Sequence, residues 1–96
     1  EFTYPGVEIE ATIIAHEGGV EPALARQLAL VGEKVRNLRE HGFEEGVSTR
    51  LLVYAAQLTA GGIEPRRACD AAIARAVTDD AEVQKAIGAI VDVLLP

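Results

Sequence analysis

Ser48-Thr49-Arg50-Leu51-Leu52-Val53-Tyr54-Ala55-Ala56-Gln57-Leu58-Thr59-Ala60-Gly61-Gly62 is the stretch that decides the fold. Serine before an apolar run is a strong helix N-cap, because its oxygen satisfies a first-turn N–H that has no intrahelical partner. Paired glycines then end the run. Between these two marks the segment is apolar almost all round, with Leu51, Leu52, Val53, Ala55, Ala56 and Leu58. A helix of that kind is expected in the middle of a bundle.

The same punctuation extends outward. After residues 2–4, which read as extended, Pro5 is expected to open a first helix carrying Val7, Ile9, Ile13 and Ile14, stopped by Gly18-Gly19. Pro22 starts the second helix, where a missing N–H is tolerated. Leu24, Leu28, Val31, Val35 and Leu38 recur at spacings of four and three, an apolar stripe. Arg26, Glu33, Lys34, Arg36 and Glu40 are assigned to its outer face, and His41-Gly42 to its C-terminal cap. A connector over 43–47 leads back to Ser48. Pro65 begins a fourth helix through Ala68, Cys69, Ala72 and Ile73. Thr78-Asp79 is expected to cap the last helix, with Glu82 in a capping-box position and Val83, Ile87, Ile90, Val91 and Leu94 facing inward. No six-residue segment alternates as a strand would. The fold class is therefore all-α, a small bundle of about five helices, with residues 1–96 forming one domain.

Composition agrees. Hydrophobic residues make up 49% of 96 residues but aromatics only 4%, so the core must come from Ala, Leu, Val and Ile, which suit closely spaced helices. The chain contains no Met, so a fragment of a longer protein is expected. A net charge of −6 argues against nucleic acid, whose binding needs Lys and Arg on phosphates. No apolar run approaches the roughly 18 residues of a membrane span, so no membrane role is expected. Cys69 stands alone, which rules out an internal disulfide framework and fits a reducing cytosol. It reads as a small buried apolar residue.

Catalytic constellations are missing. His16 and His41 lie on different helices without partners at ligand spacing, so no metal site is expected. His41 suits a helix C-terminus, where it complements the dipole. The glycines fall between helices rather than forming a phosphate-binding loop. Glu44-Glu45 and Asp79-Asp80 read as solvated or capping carboxylates, and Arg66 and Arg67 as solvated cations. Arg50 is the exception. It sits in the first turn of the most apolar helix, where the electropositive end disfavours a cation by roughly 0.3–1 kcal/mol. That placement becomes favourable if an anion lies in front of the helix, shared by guanidinium and backbone N–H groups. It is equally accounted for if Glu44 or Glu45 folds back to pair with Arg50.

The run from Gly46 to Ala56, with Ser48-Thr49-Arg50 at its heart, resembles the sensor-2 region of MoxR-type AAA+ ATPases, in particular their CbbQ/NirQ/NorQ branch. Phe2-Thr3-Tyr4-Pro5 is similar to the family's passage from ATPase core to lid. Leu58, Ala60-Gly61-Gly62 and Thr78-Asp79-Asp80 are similar to the branch's C-terminal extension, so the resemblance covers nearly the whole chain. It implies the C-terminal lid of a cytoplasmic, ring-forming ATPase, commonly hexameric. Such proteins act as chaperones that activate metalloenzymes or rubisco, with a von Willebrand factor A-type partner protein. It also implies that Arg50 is the sensor-2 arginine reaching the γ-phosphate of ATP, with Ser48 capping its helix. ATP and Mg would be bound in the full-length parent, and neither is expected on the isolated fragment, since the remaining motifs belong to the ATPase core. The alternative is a free-standing helical protein-interaction module with no nucleotide role.

Overall fold

The computed structural model describes residues 6–37 and 47–95. The expectations for residues 2–5, Leu38, Glu40, His41-Gly42 and Glu44-Glu45 lie outside them. Within the described residues the chain is all-α with five helices: α1 (Val7–Gly18), α2 (Pro22–Arg36), α3 (Thr49–Ala60), α4 (65–77) and α5 (Ala81–Leu94). Each boundary has a local cause. Gly19 takes the left-handed conformation, φ 72°, that closes α1, and its N–H donates to the Ala15 carbonyl. Proline occupies the first position of both α2 and α4. Ser48 caps α3, its hydroxyl accepting from the Leu51 N–H at 3.3 Å.

The last cap differs from the sequence expectation by one residue. Asp80, not Asp79, caps α5, accepting from the N–H groups of Glu82 at 2.8 Å and Val83 at 3.4 Å. Thr78 Oγ1 accepts from the Asp80 N–H, which fixes the turn. Glu82 is therefore the second helical residue, too early for a capping box. The fourth helix also holds a feature invisible in the pattern, a π-helical turn over Asp70–Ala74. The wider turn lets the consecutive residues Ala72, Ile73 and Ala74 all face the core.

Contacts run α1–α2–α5–α4–α3 and back to α1, and α2 also touches α3 across the middle. The core this ring encloses is built almost wholly of Ala, Val, Leu and Ile, with Cys69 among them. Burial pushes the Cys69 thiol up to about 12, so it is an inert apolar group at neutral pH. α3 does pack against three other helices, as a middle helix should. Its burial is nevertheless one-sided: Leu52, Ala55 and Ala56 are buried, Leu51, Val53 and Leu58 are half-buried, and Tyr54 is 48% exposed. α2 buries the longer face, from Ala25 to Arg36.

Close approach of helices depends on two glycines. A Cβ on Gly18 would collide with the Cβ of Ala56, and one on Gly32 would lie 2.7 Å from a Leu52 methyl. α1 and α3 run parallel, since Thr49 meets Glu10 near their starts and Gln57 reaches the Glu17 carbonyl near their ends.

The second correction concerns Arg36. Placed on the outer face by its charge, it is in fact buried, and so is Glu10 on α1, at 8% and 1% exposure. Their pairing is bidentate: Arg36 donates to both Glu10 oxygens, at 2.8 and 2.7 Å. The Arg36 Nε also donates to the Val47 carbonyl at 2.8 Å.

Two predictions follow for urea unfolding of the 96-residue chain. Gly18→Ala should destabilise by about 1–3 kcal/mol through overpacking, despite alanine's better helix propensity. Gly88→Ala, where an added Cβ meets nothing within 4 Å, should be neutral or stabilising by up to about 1 kcal/mol. Equal midpoints for the two would refute the close α1–α3 contact. Arg36→Ala should cost about 3–5 kcal/mol by stranding a buried carboxylate. By contrast, Arg26→Ala breaks an exposed pair with Glu8 and should cost less than about 1 kcal/mol.

Candidate functional site

The N-terminus of α3 gathers the residues that sequence reading singled out. Ser48 is its cap, Thr49 its first helical residue and Arg50 its second. The Ser48 carbonyl accepts from Leu51 and Leu52, and its hydroxyl is occupied by Leu51. Among the described residues, the amides of Thr49 and Arg50 have no acceptor. Arg50 itself is exposed and makes no hydrogen bond or ion pair with any described residue, whereas Arg26, Arg36, Arg66 and Arg75 are all paired. No acidic residue lies in the first turn of α3 to offset this charge. The Glu44 or Glu45 pairing lies outside the described residues. A guanidinium beside first-turn amides that have no described acceptor is a donor set able to meet an anion.

What holds this terminus in place was not legible as a site. Thr49 Oγ1 donates to Glu10 Oε2 at 2.7 Å, and the same carboxylate is gripped by Arg36. Arg36 in turn binds the Val47 carbonyl, so the residues on both sides of the Ser48 cap are tied to α1 and α2. A sequence signal did exist. Glu10 falls in register with Ala11, Ile14 and Gly18, and Arg36 with Ala25, Leu28, Ala29 and Gly32, so each lies on the buried stripe of its helix. An acid on one buried stripe and a base on another have to meet.

The other candidates are not drawn into this site. His16 is exposed in the last turn of α1 and lines a groove of about 550 Å³ between α1 and α2, with Glu8 and Arg26. Arg66 pairs with Asp92 of α5 at 2.6 Å, joining α4 to α5, so it is not simply solvated as its charge suggested. Arg67 is exposed. Asp79 is exposed and does not cap. Cys69 is buried in the core.

Comparison with known proteins places the chain in a family. A family model described as CbbQ/NirQ/NorQ C-terminal matches residues 10–94. The match thus begins at Glu10 and includes Arg36, Ser48, Thr49 and Arg50. The chain is 45% identical over 94 residues to protein CbbQ of Hydrogenophilus thermoluteolus, covering 98% of this chain and 35% of that protein. It is 42% identical over 91 residues to the denitrification regulatory protein NirQ of Pseudomonas aeruginosa, covering 95% and 35%. Protein NorQ of Paracoccus denitrificans is 42% identical over 87 residues, covering 91% and 32%. The chain spans about a third of the length of these curated relatives. By both the family model and these identities, it belongs to the CbbQ/NirQ/NorQ C-terminal family.

Proposed function

We propose that this domain is the C-terminal lid of a MoxR-type AAA+ ATPase, with Arg50 as its sensor-2 arginine and Ser48 as the cap of the helix that presents it. The observation that carries this reading is the exposed Arg50 at the N-terminus of α3, without a described partner and with no acidic residue in the first turn of its helix. A cation left in that position is disfavoured by the helix dipole, and an anion in front of the helix reverses the sign. The γ-phosphate of ATP, held by the core of the same chain together with Mg, is such an anion. When it is bound, the phosphoryl group supplies the transferring centre. Arg50 and the first-turn amides then neutralise charge on its oxygens.

Tyr54, one turn after Arg50 on the same face, leaves apolar surface that a core domain closing on the lid would cover. Membership of a C-terminal domain family, with relatives about three times as long, supports a lid over a free-standing module. In the full-length parent the domain would belong to a homo-oligomeric ring, a hexamer, that works with a von Willebrand factor A-type partner protein. Its role there is that of a cytoplasmic chaperone for metalloenzymes or rubisco. No described helix is long and apolar enough to cross a membrane.

Arg50→Ala tests the assignment in two preparations. The 96-residue chain should keep its melting temperature or gain slightly, because an unfavourable charge–dipole contact is removed. In the full-length parent, ATP turnover should fall about 100-fold or more. A destabilised chain combined with near-normal turnover would sink the sensor-2 role. Calorimetry of the 96-residue chain with Mg-ATP should show no micromolar binding, because one arginine supplies neither phosphate cradle nor metal site. Micromolar affinity there would mean that the site is complete within this domain.

A further inference from the structure

We infer that Thr49 and Glu10 are positioning residues for Arg50, an inference that rests on the sensor-2 reading. The N-terminus of a helix normally frays, since its first amides and side chains face solvent. Here it does not stand alone. The Thr49 hydroxyl donates to Glu10 at 2.7 Å, one residue before Arg50. The Val47 carbonyl accepts from Arg36 at 2.8 Å, three residues before it. Both anchors converge on one buried carboxylate–guanidinium pair, which belongs to α1 and α2 rather than to α3. The backbone that carries Arg50 is therefore fixed to the body of the domain, while the Arg50 side chain is exposed.

This division suits a residue that must meet a phosphate only when the lid closes. A guanidinium reaching into a site needs a fixed base, because a displacement of about 1 Å at a charge-stabilising group can cost up to 100-fold in rate. Thr49 is the informative member of the network. It touches Glu10 at the edge of the pair and is half-buried, so its hydroxyl can be removed without stranding Arg36. Glu10 and Arg36 cannot be altered so cleanly, because breaking a buried pair threatens the fold itself.

The test uses the full-length ATPase with Thr49→Val, Thr49→Ser, Arg50→Ala and the Thr49→Val/Arg50→Ala double variant. Thr49→Val should lower ATP turnover about tenfold with little change in the KM for ATP, the pattern of a weakened transition-state contact. The melting temperature should fall by less than about 5 °C, as expected for one hydrogen bond. Thr49→Ser, which keeps the hydroxyl, should restore turnover. In the double variant, Thr49→Val should add nothing to the loss caused by Arg50→Ala, since a positioning residue acts only through the group it positions. Turnover retained by Thr49→Val but lost by Arg50→Ala overturns the positioning role and leaves the sensor-2 reading standing. Additive losses also overturn it, even where Thr49→Val lowers the melting temperature. If Arg50→Ala itself retains turnover, the sensor-2 reading fails first.

Discussion

The Glu10–Arg36 pair is the interaction on which the arrangement of the first three helices depends. It is bidentate and nearly sealed from solvent, and it accepts or donates further bonds at Thr49 and Val47. Removing two charges from water costs several kcal/mol each, and only excellent geometry offsets that cost. Apolar residues of the same volume could stabilise such a position equally well. They could not dictate direction. A planar guanidinium meeting a carboxylate through two bonds, with its third nitrogen on a backbone carbonyl, admits one relative placement of α1, α2 and the start of α3.

Orientation matters here because the surrounding core offers little of it. Ala, Val, Leu and Ile fill the interior with few aromatic shapes to lock one helix against another. Gly18 against Ala56 and Gly32 against Leu52 bring α1 and α2 close to α3. Smooth small-residue contacts of this kind permit sliding along the helix axes. The polar clamp at one end and the glycine contacts farther along give the parallel α1–α3 pair two separated fixed points. Two points define a register, where either alone would leave it adjustable.

Much of this was legible in the sequence because helix ends are chemically marked. Gly18-Gly19, Pro22, Ser48, Gly61-Gly62 and Pro65 each constrain the backbone locally, and the structure places helix boundaries at each of them. Errors arose where the deciding partner is remote. Arg36 was assigned to the surface because a lone guanidinium is usually solvated, and the carboxylate that reverses this lies 26 residues away. The π turn in α4 answers to packing around Ala72, Ile73 and Ala74, not to any breaker residue. The cap of α5 slipped by one because Thr78, Asp79 and Asp80 can all accept bonds. Only the Thr78–Asp80 hydrogen bond selects among them. The Ser48 cap follows from local helix chemistry, which leaves two readings of Arg50 open, whereas Glu10 required matching the buried stripes of two helices.

The two arginines differ in whether the domain itself compensates their charge. Arg36 has its charge compensated within the domain, so it disappears into the fold and contributes to its specificity. Arg50 has no such compensation among the described residues, and it sits where the helix field opposes it. The helix field favours an acid at that place, as in the first turns of α1 and α5, although α2 and α4, like α3, carry none. Local inconsistency of this kind tends to mark places where a sequence serves something other than folding. Only two residues separate the Arg36-bound Val47 from Arg50, so a buried ion pair holds a helix end whose own charge has no partner among the described residues.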